Sequence, residues 1–99
     1  MKTNIQFVNS ETNLSAEQVV QRKLDKLENK YDWIISAAVM FREEKSTNGK
    51  GKVCAIELSL PGPKIHASTN GDSFEAAAAE SVKDLEKQLK KRKAEMQNH

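Results

Sequence analysis

Residues 15–44, SAEQVVQRKLDKLENKYDWIISAAVMFREE, change hydrophobic period part-way along, and that change decides the fold. Ala16, Val20, Leu24, Leu27 and Tyr31 recur at spacings of 4, 4, 3 and 4, which puts five apolar side chains in one stripe of a helix. Ser15 followed by Gln18 predicts a capping box at its start. From Trp33 to Glu44 the period drops to two, with Ile35, Ala37, Val39 and Phe41 on one face of a strand.

Upstream, Met1 to Val8 places Ile5 and either Phe7 or Val8 in an alternating context, predicting a strand before the polar turn Asn9 to Asn13. Downstream, Lys45 to Gly51 carries Ser, Thr and Asn-Gly, a basic hairpin loop between strands. Cys54, Ile56, Leu58 and Leu60 then form the buried face of a third strand, and Val53, Ala55, Glu57 and Ser59 its more exposed face. Pro61-Gly62-Pro63 ends that strand. Ile65 to Thr69 reads as a fourth, and Asp72 with Glu75 as the cap of a second helix reaching about Met96. Its stripe is Phe74, Ala78, Val82, Leu85, Leu89 and Met96. The fold expected is α+β, in the order β-α-β-β-β-α. Two amphipathic helices cover one face of a four-stranded sheet, and residues 1–99 form one domain.

The net charge of +2 is unevenly spread. Residues 1–80 hold 10 Lys and Arg against 11 Asp and Glu, whereas residues 81–99 hold 6 against 3. Such a basic segment suits phosphates or an acidic partner. On a helical wheel with Val20 at zero, Lys23, Lys26 and Lys30 fall between about 240° and 300° and Arg22 near 200°, while Glu17, Asp25 and Glu28 fall between about 60° and 140°. On the second helix, with Val82 at zero, Lys83, Lys87, Lys90 and Lys91 fall between about 80° and 180°, bordered by Glu80 and Asp84. If the helices lie side by side, the two basic flanks form one cationic surface able to displace counterions from RNA. Arg92 and Lys93 extend the charge of the second helix.

Catalysis is not expected. The histidines are His66, placed on the exposed face or edge of a short strand, and His99 near the chain end. Cys54 reads as a small buried hydrophobe, with no second Cys for a disulfide or a metal site. Adjacent carboxylates such as Glu43 and Glu44 point to opposite faces of a strand and cannot share a substrate. No Gly-rich phosphate loop is present, and no cofactor is expected. The five aromatic residues belong mainly to the core, with Trp33 partly exposed, so backbone and shape recognition is expected over base stacking. The first residues contain no apolar run of the kind that marks a signal peptide or membrane span, and a lone cysteine suits the cytoplasm.

Ile65-His66-Ala67-Ser68, Asn70-Gly71, Phe74, Ala76-Ala77 and Leu85 through Lys93 resemble the short ribosome hibernation promoting factors. These are also called ribosome-associated inhibitor or sigma-factor modulation proteins. Lys23, Lys26-Leu27-Glu28 and Tyr31-Asp32 through Ile34 extend the likeness over nearly the whole chain. The resemblance implies a fold similar to double-stranded RNA-binding domains and a factor of slow growth or stress. Such a factor binds the small ribosomal subunit in its decoding region and inhibits translation. It also implies that Lys23, Lys26, Lys87, Lys91 and Lys93 contact ribosomal RNA; Arg22, Lys30, Lys83, Lys90 and Arg92 join them on the charge reading alone. The chain departs from the family pattern at Glu75-Ala76-Ala77-Ala78-Ala79, where an aromatic residue and an Asp are common, and at Asp84, where Lys is usual. Ribosome dimerisation would need a second factor. Two other readings are a protein-interaction module that regulates transcription through the exposed sheet face, and a generic duplex-RNA binder.

Overall fold

A computed structural model describes residues 1–45 and 51–97. Strands β1 (Lys2–Val8), β2 (Ser36–Glu43), β3 (Lys52–Ser59) and β4 (Ile65–Gly71) form one sheet in the order β1-β2-β3-β4. Helices α1 (Leu14–Lys30) and α2 (Phe74–Gln97) complete the expected β-α-β-β-β-α order. A parallel strand pair needs a crossover, and α1 supplies it between β1 and β2. The other two pairings are antiparallel, with Phe41 opposite Cys54 and Ile56 opposite Ala67.

The inward face of the sheet carries Ala37, Val39 and Phe41 of β2, Cys54, Ile56 and Leu58 of β3, and Ile65 and Ala67 of β4, all buried. The whole expected α1 stripe, Ala16 to Tyr31, meets this core. From α2 come Phe74, Ala78, Val82, Leu85 and Leu89, joined by Ala77 and Ser81. Phe7 stacks on Phe41 with ring centroids 4.8 Å apart, and Phe74 sets its edge against both, 5.9 Å and 5.3 Å away. Ser81 is fully buried; its hydroxyl donates to the carbonyl of Cys54 (2.8 Å) and accepts from the Thr69 hydroxyl (2.9 Å), so that α2 is bonded to β3 and β4 at once. The outward face stays open, with Asn4, Gln6, Ala38, Met40, Glu57 and His66 exposed.

Several local expectations shift. Asn13, not Ser15, caps α1: its carboxamide oxygen accepts from the Ala16 amide at 3.0 Å, while Ser15 donates to Glu75 instead. At α2 the cap is Ser73, whose hydroxyl accepts from the Ala76 amide at 3.0 Å, rather than Asp72. In both cases two neighbouring polar residues compete for the role, and the backbone's entry angle decides between them. β2 begins at Ser36, and the chain turns just before it, with the Ile34 amide donating to the Tyr31 carbonyl. That turn reverses the alternation, so Ile34 is buried and Ile35 is 56% exposed.

Val53, expected on the more exposed face of β3, is buried, and Ala55 is half-buried; Val8 and not Phe7 is the outward residue of β1. β4 continues two residues past Thr69, pairing Asn70 with Val53 and Gly71 with Lys52. Gly62 takes the left-handed φ of 92° that its turn between two prolines requires. Met96 is exposed because α2, at 24 residues and about 1.5 Å each, outruns strands of seven and eight residues. The expected basic loop at Lys45 to Gly51 and the residue His99 lie, at positions 46–50 and 98–99, outside the described residues.

The cap assignment is testable by substitution. Asn13→Ala should lower the urea unfolding free energy by ~1 kcal/mol with an unchanged denaturant slope, and Ser15→Ala by a few tenths at most. Leu85→Ala, at a fully buried site between α2 and the sheet, should cost about 2–5 kcal/mol.

Candidate nucleic-acid interface

α1 and α2 lie next to each other on the inward face of the sheet, and their basic flanks meet along the seam. Leu27 and Val82 supply the apolar floor, and Ala79 is short enough to leave a trough open between the helices. Lys23, Lys26 and Lys30 of α1 stand along one wall, opposite Lys83. Further along, Lys30 and Lys83 are followed by Lys87, Lys90 and Lys93 over a floor of Tyr31 and Ala94. The Lys93 ammonium sits over the Tyr31 ring, 5.8 Å from its centroid, which holds the far end of the row against α1.

Seven of the ten basic residues singled out in the sequence therefore line one trough. The other three do not. Arg22 is exposed about 100° around α1 from Lys23, towards solvent. Lys91 is exposed on the outer side of α2, on the same side as Asp84. Arg92 is half-buried on the opposite flank, where its Nη1 donates to the Pro63 carbonyl at 3.2 Å and clamps the β3–β4 turn.

The trough is not purely cationic. Glu80 lines its first stretch, and Glu86 lines both. Glu86 accepts a hydrogen bond from Lys30 Nζ at 2.9 Å, an ion pair from α1 to α2. That hydrogen bond and the carboxylate charge hold the Lys30 ammonium above the usual lysine range. Sequence reasoning set the acidic border at Glu80 and Asp84 and missed Glu86. The signal was there, since Glu86 falls near 40° on the wheel that puts Lys90 near 80° and Lys83 near 100°.

Chemically, the trough presents a row of compact, hydrated point charges on flexible stems. Lysines of this kind neutralise phosphates at many geometries, without the fixed bidentate fork by which arginine reads a base edge. Exposed aromatic platforms for stacking are absent from its described lining, where Tyr31 is buried. The arrangement suits a folded polyanion recognised by backbone and shape.

The fold and this surface together define a two-layer α+β protein with a lysine-lined trough between its helices. The family described as sigma 54 modulation protein / S30EA ribosomal protein matches residues 3–97, and the chain belongs to it. It is 30% identical to the ribosome hibernation promoting factor of Klebsiella oxytoca and 31% identical to that of Escherichia coli K12, each over 99 residues and the full length of both chains. Among solved structures it is similar to a ribosomal subunit interface protein from Coxiella burnetii (TM-score 0.81, 22% identity, 95% of this chain and 99% of that one). It is also similar to the N-terminal domain of Thermus thermophilus protein Y (TM-score 0.75, 25% identity, 92% and 98%).

Outside the trough, His66 is exposed on the open sheet face and Cys54 is buried in the core, as its alternation predicts. Burial pushes the Cys54 thiol from 9.0 up to about 12, with the nearby Ser81 hydroxyl pulling the other way. In the native chain the thiol should resist iodoacetamide at pH 8 and react once urea unfolds the protein. The unfolded thiol loses its proton first, so its contribution to stability is intact below about pH 8.5 and fades as pH rises towards 12. Unfolding curves of wild type and Cys54→Ala should therefore converge or cross over that interval.

Proposed function

We propose that the chain binds the small ribosomal subunit through the α1–α2 trough, laying Lys23, Lys26, Lys30, Lys83, Lys87, Lys90 and Lys93 against ribosomal RNA phosphates in the decoding region. Bound there, it silences translation during slow growth or stress, as a cytoplasmic protein that uses no cofactor and performs no catalysis. The observation that carries this reading is the meeting of two basic helix flanks in one trough, in a member of a family whose relatives are ribosome hibernation promoting factors. Outside this lining, Lys91 and Arg22 add long-range attraction from the solvent side, and Arg92 acts through the turn it clamps.

Binding of this kind is driven by counterion release, so it weakens steeply with salt. Purified protein should co-sediment with small ribosomal subunits at 50 mM salt and lose roughly a thousandfold in affinity by 200 mM. Lys23→Glu with Lys87→Glu should abolish pelleting, whereas Lys91→Glu should weaken it only a few-fold. An excess of plain RNA duplex should compete poorly, because the fit is to the subunit's shape. Failure to pellet at either salt would overturn the proposal. Undiminished binding by the Lys23→Glu, Lys87→Glu variant would move the interface to the open sheet face around Ala38 and Met40.

A further inference from the structure

The Lys30–Glu86 pair is exposed on both sides, with 66% of the lysine side chain and 42% of the glutamate side chain accessible. An ion pair this open adds little to stability, because water screens it and two long side chains must be held still. The helices are already fixed by the core beneath, so the pair is not needed to hold them together. Glu86 is nevertheless placed midway, bordering Lys83 and Lys30 in both stretches of the trough. Its Oε2 takes from Lys30 the hydrogen bond that a phosphate oxygen would take.

We infer that Glu86 is a built-in counter-anion that occupies a phosphate position in the trough, weakening RNA binding and making it readily reversible. The inference rests on the trough being the ribosomal RNA interface. A phosphate arriving at Lys30 meets a lysine already neutralised and a like charge beside it, so it gains less there than at Lys23 or Lys26. RNA can still bind, because the carboxylate is on a solvated side chain that can swing away from Lys30. Each phosphate contact elsewhere in the trough is then made against a row with one charge cancelled, which caps the total affinity and speeds release.

The test is titration of fluorescently labelled protein with purified small ribosomal subunits over a range of salt. Glu86→Gln, which keeps the shape and removes the charge, should bind about five- to tenfold more tightly at low salt, with a salt slope steeper by about one counterion. Glu86→Ala should behave alike, and melting temperatures of both should match wild type to within a few degrees. Lys30→Gln should weaken binding in both backgrounds, but several-fold more in the Glu86→Gln background, where its ammonium is free to meet a phosphate, a coupling that independent loss of two charges would not produce. Binding by Glu86→Gln that is equal to or weaker than wild type, or a Lys30→Gln cost that is the same in both backgrounds, would overturn the inference while leaving the interface standing. Absence of salt-dependent wild-type binding would overturn both.

Discussion

The close seating of α2 on β3 and β4 is the constraint on which the rest of the molecule depends. Ala77, Ala78 and Ser81 are all fully buried, and none has a side chain long enough to hold the helix away from the sheet. Ser81 turns that proximity into direction, because its hydroxyl reaches a strand carbonyl and a threonine hydroxyl from a single position. A buried hydroxyl without partners would cost the molecule stability; with two it fixes the rotation of α2 about its axis. That rotation in turn decides which lysines face α1 and which face solvent.

Once α2 is fixed in rotation, the electrostatics follow from geometry. α1 is bound into the same core by a stripe of five residues, which leaves Lys23, Lys26 and Lys30 on the flank nearest α2. Neither helix alone makes a two-walled cationic trough. The two flanks make one because a shared core forces them together over a floor of Leu27 and Val82. The cost is repulsion among lysines, which the fold accepts at the surface, where water and salt screen it. Lys30 finds Glu86 and Lys93 finds the Tyr31 ring, so part of the row is satisfied before any partner arrives.

This division of labour explains why the family departures at the start of α2 do not disturb the architecture. The run Ala76 to Ala79 places Ala77 and Ala78 against the sheet and Ala79 in the trough, each in a position where small size is useful. An aromatic at position 75 is not needed for the core, because Phe74, Phe41 and Phe7 already fill that end with three mutually packed rings. Glu75 instead accepts from Ser15 and ties the starts of the two helices together at the surface.

The sequence by itself determined the element order, the buried stripe of α1, that of α2 apart from Met96, Ala77 and Ser81, the inward faces of β2 and β3, and the existence of a basic flank on each helix. All of these are local periodicities, written within a few turns of chain. It misplaced the two caps, the parity of Ile34 and Ile35, and the burial of Val53, because each depends on how the backbone enters an element or on what an adjacent strand covers. Only the tertiary structure decided that the flanks meet and that Arg22, Lys91 and Arg92 stand apart from the row. It alone put Glu86 within hydrogen-bonding distance of Lys30, 56 residues away. A helical wheel gives angles about one axis, and the charge of a trough depends on the angle between two.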